Sequence, residues 1–154
     1  TRGWAELAFD GIHAVQVHAR YQGSIEAELE LVDAVRNEVG DGVEVWRAVS
    51  MTTPEGAQTA TALLGSVDKL VLDAYDGGSG ASFDWADIPE EVKDHALLAG
   101  GIGPDSVADA LRAGCLGVDL NSGVEYPSTA GQWAGHKDAG ALRRAFTTIR
   151  NFHT

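Results

Sequence analysis

Cysteine, lysine, long apolar runs and clustered metal ligands are all scarce in this chain, and each scarcity removes a class of protein. The single cysteine, Cys115, excludes an intrachain disulfide. It lies between Gly114 and an apolar segment, where a buried and inert thiol is the expected state. No apolar run approaches the roughly 18 residues of a membrane helix, and no signal peptide opens the sequence, so a reducing cytoplasm is the expected setting. There are three lysines, Lys69, Lys93 and Lys137, and the formal net charge is −12, from 23 acidic against 11 basic residues. That balance argues against nucleic acid and anionic membranes as partners, because both need clustered positive charge. It fits a protein kept soluble in concentrated salt, a halophile's, as well as an ordinary acidic cytosolic one. His13, His95, His136 and His153 share no ligand spacing, so no metal site is expected. No strand is followed by G-x-G-x-x-G and a ribose-binding acid, which weakens a dinucleotide-binding reading.

What is present centres on Lys69 to Trp85, KLVLDAYDGGSGASFDW. An apolar run, Leu70 to Leu72, reads as a buried strand ending on a carboxylate, Asp73. A loop with Gly77, Gly78 and Gly80 follows, then Phe83, Asp84 and Trp85, with Trp85 expected in the core. Around this stretch, Thr1–Phe9 reads as the end of a helix, and Ala14–His18 alternates as a strand. Ser24 and Gly40 bracket an acidic amphipathic helix. Val43–Val49 is a β-branched strand, Pro54–Leu64 a helix, and 83–92 an irregular helical segment broken at Pro89. His95–Ala99 is a strand, Pro104–Ala113 a helix, Gly117–Asn121 a strand, and 138–152 a helix with Leu142, Phe146 and Ile149 as its apolar stripe. Five strands alternating with helices predict an α/β fold with a parallel sheet, either doubly wound or part of a (β/α)8 barrel. Polar residues at the strand ends, His18, Asp73 and Asn121, favour the barrel, whose sites are built there.

Three groups of residues carry candidate chemistry. Gly100 and Gly101, before the helix expected to open at Pro104, can hold a phosphate on backbone N–H groups, or can simply make a tight turn. Asn121, Ser122 and Gly123 after the next strand strengthen the phosphate reading. Asp73 is a general acid if its surroundings are dry, or a loop-ordering aspartate if they are not. Asp119 shares a strand face with Asn121 and is expected to serve as a structural hydrogen-bonding group. Gln16 and His18 share the face that would point at a substrate.

In order, the segments LVLDAYDGGSGASFDW, LLAGGIGPDSVADAL, GVDLNSGVE and GHKD resemble phosphoribosylanthranilate isomerase of tryptophan biosynthesis, and VQVH resembles that family's fourth strand. The likeness runs from about Ala14 to the C-terminus. It implies a TIM barrel and a cofactor-free, metal-free Amadori rearrangement of N-(5-phosphoribosyl)anthranilate to 1-(2-carboxyphenylamino)-1-deoxyribulose 5-phosphate. Asp73 matches the family's general acid. Gly100, Gly101, Asn121, Ser122 and Gly123 match its phosphate turns, and Gln16 and His18 match pocket positions. Ala81 stands where the family usually has Lys, and Asn121-Ser122-Gly123 where it usually has Ser-Ser-Gly. Nothing matches the family's first-strand cysteine, the general base, or the arginine that binds the anthranilate carboxylate.

By element count the resemblance implies strands four to eight, with residues 1–154 forming a single domain, the C-terminal part of a barrel without its first three strand-helix units. The chain opens on Thr1 and not Met, which fits processing or a piece of a longer protein. Five strands leave edges that invite self-association. The alternative is a non-catalytic phosphate-binding fragment that lacks the base. Indole-glycerol-phosphate synthase, another phosphate-handling barrel, would need Lys or Glu at strand ends, and no strand here ends on either.

Overall fold

Three β-branched and leucine-rich runs, EVWRAVS, KLVLD and ALLA, are buried along nearly their whole length, which is how strands covered on both faces read. The computed structural model describes residues 12–73 and 83–152. It shows β1 (Ala14–Val17), α1 (Ile25–Val39), β2 (Glu44–Ser50), α2 (Gly56–Ala62), β3 (Lys69–Asp73), α3 (Glu90–Lys93), β4 (Ala96–Ala99), α4 (Val107–Arg112), β5 (Gly117–Val118) and α5 (Ala139–Asn151). The strands form one parallel sheet in chain order, β1-β2-β3-β4-β5. The predicted parallel α/β architecture is therefore the observed one. The helix end read at Thr1–Phe9, the glycines at 77, 78 and 80, and Ala81 lie outside the described residues.

Strand alternation sorts the side chains into two layers. Val45, Val49, Leu70, Leu72, Ala96 and Leu98 face the helices and form the main core with Val32 and Val35 of α1, Val92 of α3, Val107 of α4 and Ala145 of α5. Each fully buried Val or Leu contributes about 1.5–3 kcal/mol. The opposite face is lined by small residues, Ala48, Val71 and Ala99, flanked by Trp46 and Leu97. Trp85 packs against the main core as expected, half-buried.

Local signals set most boundaries. The Ser24 hydroxyl accepts the Ala27 N–H at 3.2 Å to start α1, and Gly40, at φ 73°, ends it by donating its N–H to the Arg36 carbonyl. Three expectations need correction. The helix read from Pro104 begins only at Val107, because Pro104–Ser106 form a turn in which the Ser106 hydroxyl takes the Gly103 N–H at 3.1 Å. The strand read over Gly117–Asn121 is regular only over Gly117–Val118, although Asp119 still donates to the Leu98 carbonyl at 2.8 Å. Phe146 of the expected α5 stripe is 47% exposed, while Leu142 and Ile149 pack against the core beside the buried Ala141 and Ala145. Small side chains let α5 approach α4 and the 121–125 turn closely, and that closeness decides the buried face over side-chain size. Among the described residues no helix is long and apolar enough to cross a membrane.

Candidate functional site

The register of the parallel ladder brings the strand ends level. Asp73, the last residue of β3, pairs with Ser50 of β2 on one side and Ala99 of β4 on the other. A cavity of about 410 Å³ opens above these ends. Its floor is Ala48, Val71 and Ala99, the small inner-face residues. Gln16 and His18 line it from the β1 end, and Asp73 from the β3 end. Gly100, Gly101, Asn121 and Ser122 line it from the turns after β4 and β5. Asp119 faces the same cavity as Asn121, as strand alternation requires.

Gly123 is placed differently from the other candidates. It does not line the cavity but wedges beneath it, where a Cβ would overlap the carbonyls of Gly101 and Ile102. Reciprocally, a Cβ on Gly103 would overlap the Gly123 carbonyl. The two turns thus pack backbone against backbone, which only glycine allows. Gly100 and Gly101 adopt φ of 103° and 66°, the left-handed region that glycine enters without strain. Among the described residues, the N–H groups of Gly101, Ser122 and Gly123 donate to nothing, so this wall offers free donors to an anion.

Two groups near the site escaped the sequence reading. Arg47, in the middle of β2, is 2% exposed and forms a bidentate pair with the fully buried Glu28 of α1, at 3.0 and 3.1 Å. Its remaining donors hold the carbonyls of Ala19 at 3.0 Å and of Val17, Arg20 and Ala48, and Glu28 also takes the Gln22 N–H at 2.8 Å. This pair fixes the loop that follows β1 and so the segment that carries His18. A second cavity of about 520 Å³ lies over it and shares Asp73. The pair's charges are spent on each other and on the loop, so they are not available to a ligand there. The second is Lys137 of the GHKD segment, given no role in the sequence reading, whose Nζ donates to both the carbonyl and the side-chain oxygen of Asn121 and to Glu125. Cys115 is half-buried, and burial pushes its thiol pKa up against the opposing pull of Lys93. No group of three or more potential metal ligands occurs among the described residues.

A parallel sheet whose strands lie side by side in strict chain order, with polar residues at their carboxyl ends, is TIM-barrel-like. The solved phosphoribosyl anthranilate isomerase of Thermus thermophilus superposes with a TM-score of 0.63 at 26% identity, over 90% of this chain and 60% of that one. The family model for N-(5'phosphoribosyl)anthranilate (PRA) isomerase matches residues 7–146. The chain is 60% identical over 153 residues to the tryptophan biosynthesis protein TrpCF of Corynebacterium glutamicum, covering 99% of this chain and 32% of that protein. It is 38% identical over 145 residues to TrpCF of Haemophilus influenzae, covering 90% of this chain and 27% of that protein. The chain belongs to the PRA isomerase family. It spans about a third of the length of these curated relatives (32% and 27%).

Proposed function

We propose that the protein isomerises N-(5-phosphoribosyl)anthranilate in tryptophan biosynthesis, with these residues forming one domain that supplies strands four to eight of the barrel. The observation that carries the reading is the placement of Asp73 across one cavity from two glycine turns with free N–H donors. A phosphate seated on Gly100, Gly101, Asn121 and Ser122 puts the sugar ring of such a substrate beside β3. Asp73 then donates a proton to the furanose oxygen, the C1–O bond breaks, and C1 becomes a Schiff base with the anthranilate nitrogen. Loss of the C2 proton to a base gives an enolamine, which relaxes to the ketone. Atoms and electrons balance without an external oxidant or cofactor. Gln16 and His18 contact the sugar from the β1 side. The base belongs to the family's first strand, which has no counterpart in this sequence. Strands four to eight are supported by the match to 60% of the solved isomerase and by β1 and β5, each of which, among the described residues, pairs with a single neighbour.

The test is Asp73→Asn in the intact protein. A general acid contributes about 10²–10⁴ in rate, so turnover is expected to fall by at least that lower factor while circular dichroism and melting temperature stay at wild-type values. A variant that keeps near-normal turnover rejects Asp73 as the acid.

A further inference from the structure

The cavity has a charge problem. Asp119 lines it beside the proposed acid Asp73, and among the described residues no lysine or arginine does. A phosphate dianion entering beside two acids needs compensating positive potential as well as N–H donors. Among the described residues, the cation tied to the phosphate-side wall is Lys137, sixteen positions beyond Asn121 in the chain. It lies at the return of the 125–137 loop, whose base is closed by an antiparallel bridge between Glu125 and Lys137. From there Nζ donates to the Asn121 carbonyl at 3.1 Å, to the Asn121 side-chain oxygen and to Glu125. The Asn121 carbonyl also takes the Val124 N–H at 3.3 Å.

We propose that Lys137 is a positioning residue for the phosphate end of the cavity. It fixes Asn121 by backbone and side chain together and sets the charge of that wall, with Glu125 as the counterweight. The inference rests on the phosphate seat proposed above. A lysine that only latched the loop would need Glu125 alone, and such a pair, 44% and 26% exposed, contributes little to stability. Two further bonds to one cavity residue are what orientation of Asn121 requires. With Asn121 held by its oxygens, its amide N–H₂ is turned away from Lys137 and left for an acceptor. Gly123, packed beneath, prevents the turn from sinking when Lys137 draws on it.

The experiment is steady-state turnover of phosphoribosylanthranilate by the intact protein, with inorganic phosphate and anthranilate as competing probes. Replacing a charge-assisted contact network by an apolar side chain should cost about tenfold in affinity. Lys137→Met is therefore expected to raise KM and the phosphate inhibition constant together, with a much smaller change in kcat. Inhibition by anthranilate, which carries no phosphate, should not move. Lys137→Arg should recover most of the loss. Glu125→Gln leaves the lysine on Asn121 with less of its charge neutralised, and should tighten phosphate inhibition about two- to threefold. Wild-type KM and phosphate inhibition in Lys137→Met overturn the proposal. So does a loss confined to melting temperature, which marks a latch. If Lys137→Met does not fold, Glu125→Gln decides: unchanged or weaker phosphate inhibition overturns the proposal. A wild-type protein that phosphate does not inhibit competitively overturns the phosphate seat itself, and the role of Lys137 with it.

Discussion

At the scale of single residues, the buried Arg47–Glu28 pair is the group whose loss should be felt most. Removing one partner leaves an uncompensated charge among apolar side chains, which costs about 3–5 kcal/mol. Arg47→Met and Glu28→Gln are each expected to lower the urea midpoint accordingly, and the double replacement should cost less than the sum of the two. Arg47 escaped the reading although it stands inside an otherwise apolar strand, a placement tolerated only with a partner. Its partner was not legible, because Glu28 is one of five acids in α1, and nothing in the pattern marks it as the buried one. The same limit hid Lys137, since its contact with Asn121 depends on how the loop between them folds back. Asp73 stood out because a carboxylate closing a buried strand has few uses. Cys115 adds a second test at this scale. With its thiol pKa raised by burial, it should react with a thiol reagent at neutral pH far more slowly than a model thiol, and at the model rate once the chain is unfolded in urea.

At the scale of elements, the two turns after β4 and β5 behave as one unit, because Gly103 and Gly123 bring their backbones into contact. Gly123→Ala forces a Cβ into the carbonyls of Gly101 and Ile102, and overpacking of this kind costs about 1–3 kcal/mol. The expected result is a lower melting temperature with a disproportionate loss of phosphate inhibition. A variant that lost stability alone would separate the packing of the turns from the site. Elements bounded by local chemistry were readable in advance: α1 lies between Ser24 and Gly40, and β3 ends at Asp73. Elements decided by tertiary approach were not. The start of α4 moved because the Ser106 hydroxyl captured the Gly103 N–H. On α5 the expected Leu142 and Ile149 do pack on the core, but the most buried positions are Ala141 and Ala145, which a search for large apolar residues passes over.

At the scale of the whole molecule, charge governs the response to solution conditions. With a net charge of −12, self-repulsion opposes the compact state and salt relieves it. Melting temperature should therefore rise between low and molar salt, and a flat response would show that the acids are locally compensated. Acid works in the opposite direction at particular sites. Lys69 and Trp46 hydrogen-bond the Glu44 carboxylate and hold its pKa below the ordinary value. At Asp68, burial pushes the pKa up, but the Val45 N–H at 2.8 Å and Arg36 outweigh it, and the net shift is down. A carboxylate with a depressed folded pKa stabilises fully above its unfolded value and loses that contribution as pH falls through the folded one. Stability should thus decline on acidification below about pH 4, and Asp68→Asn should flatten that decline.

The sheet also carries a consequence in time. Each strand lies beside the one made just before it, and no strand must wait for a later one to be inserted between itself and its neighbour. A ribosome releasing this chain delivers every strand next to a template that is already laid down, so the sheet can grow outward from one edge as synthesis proceeds.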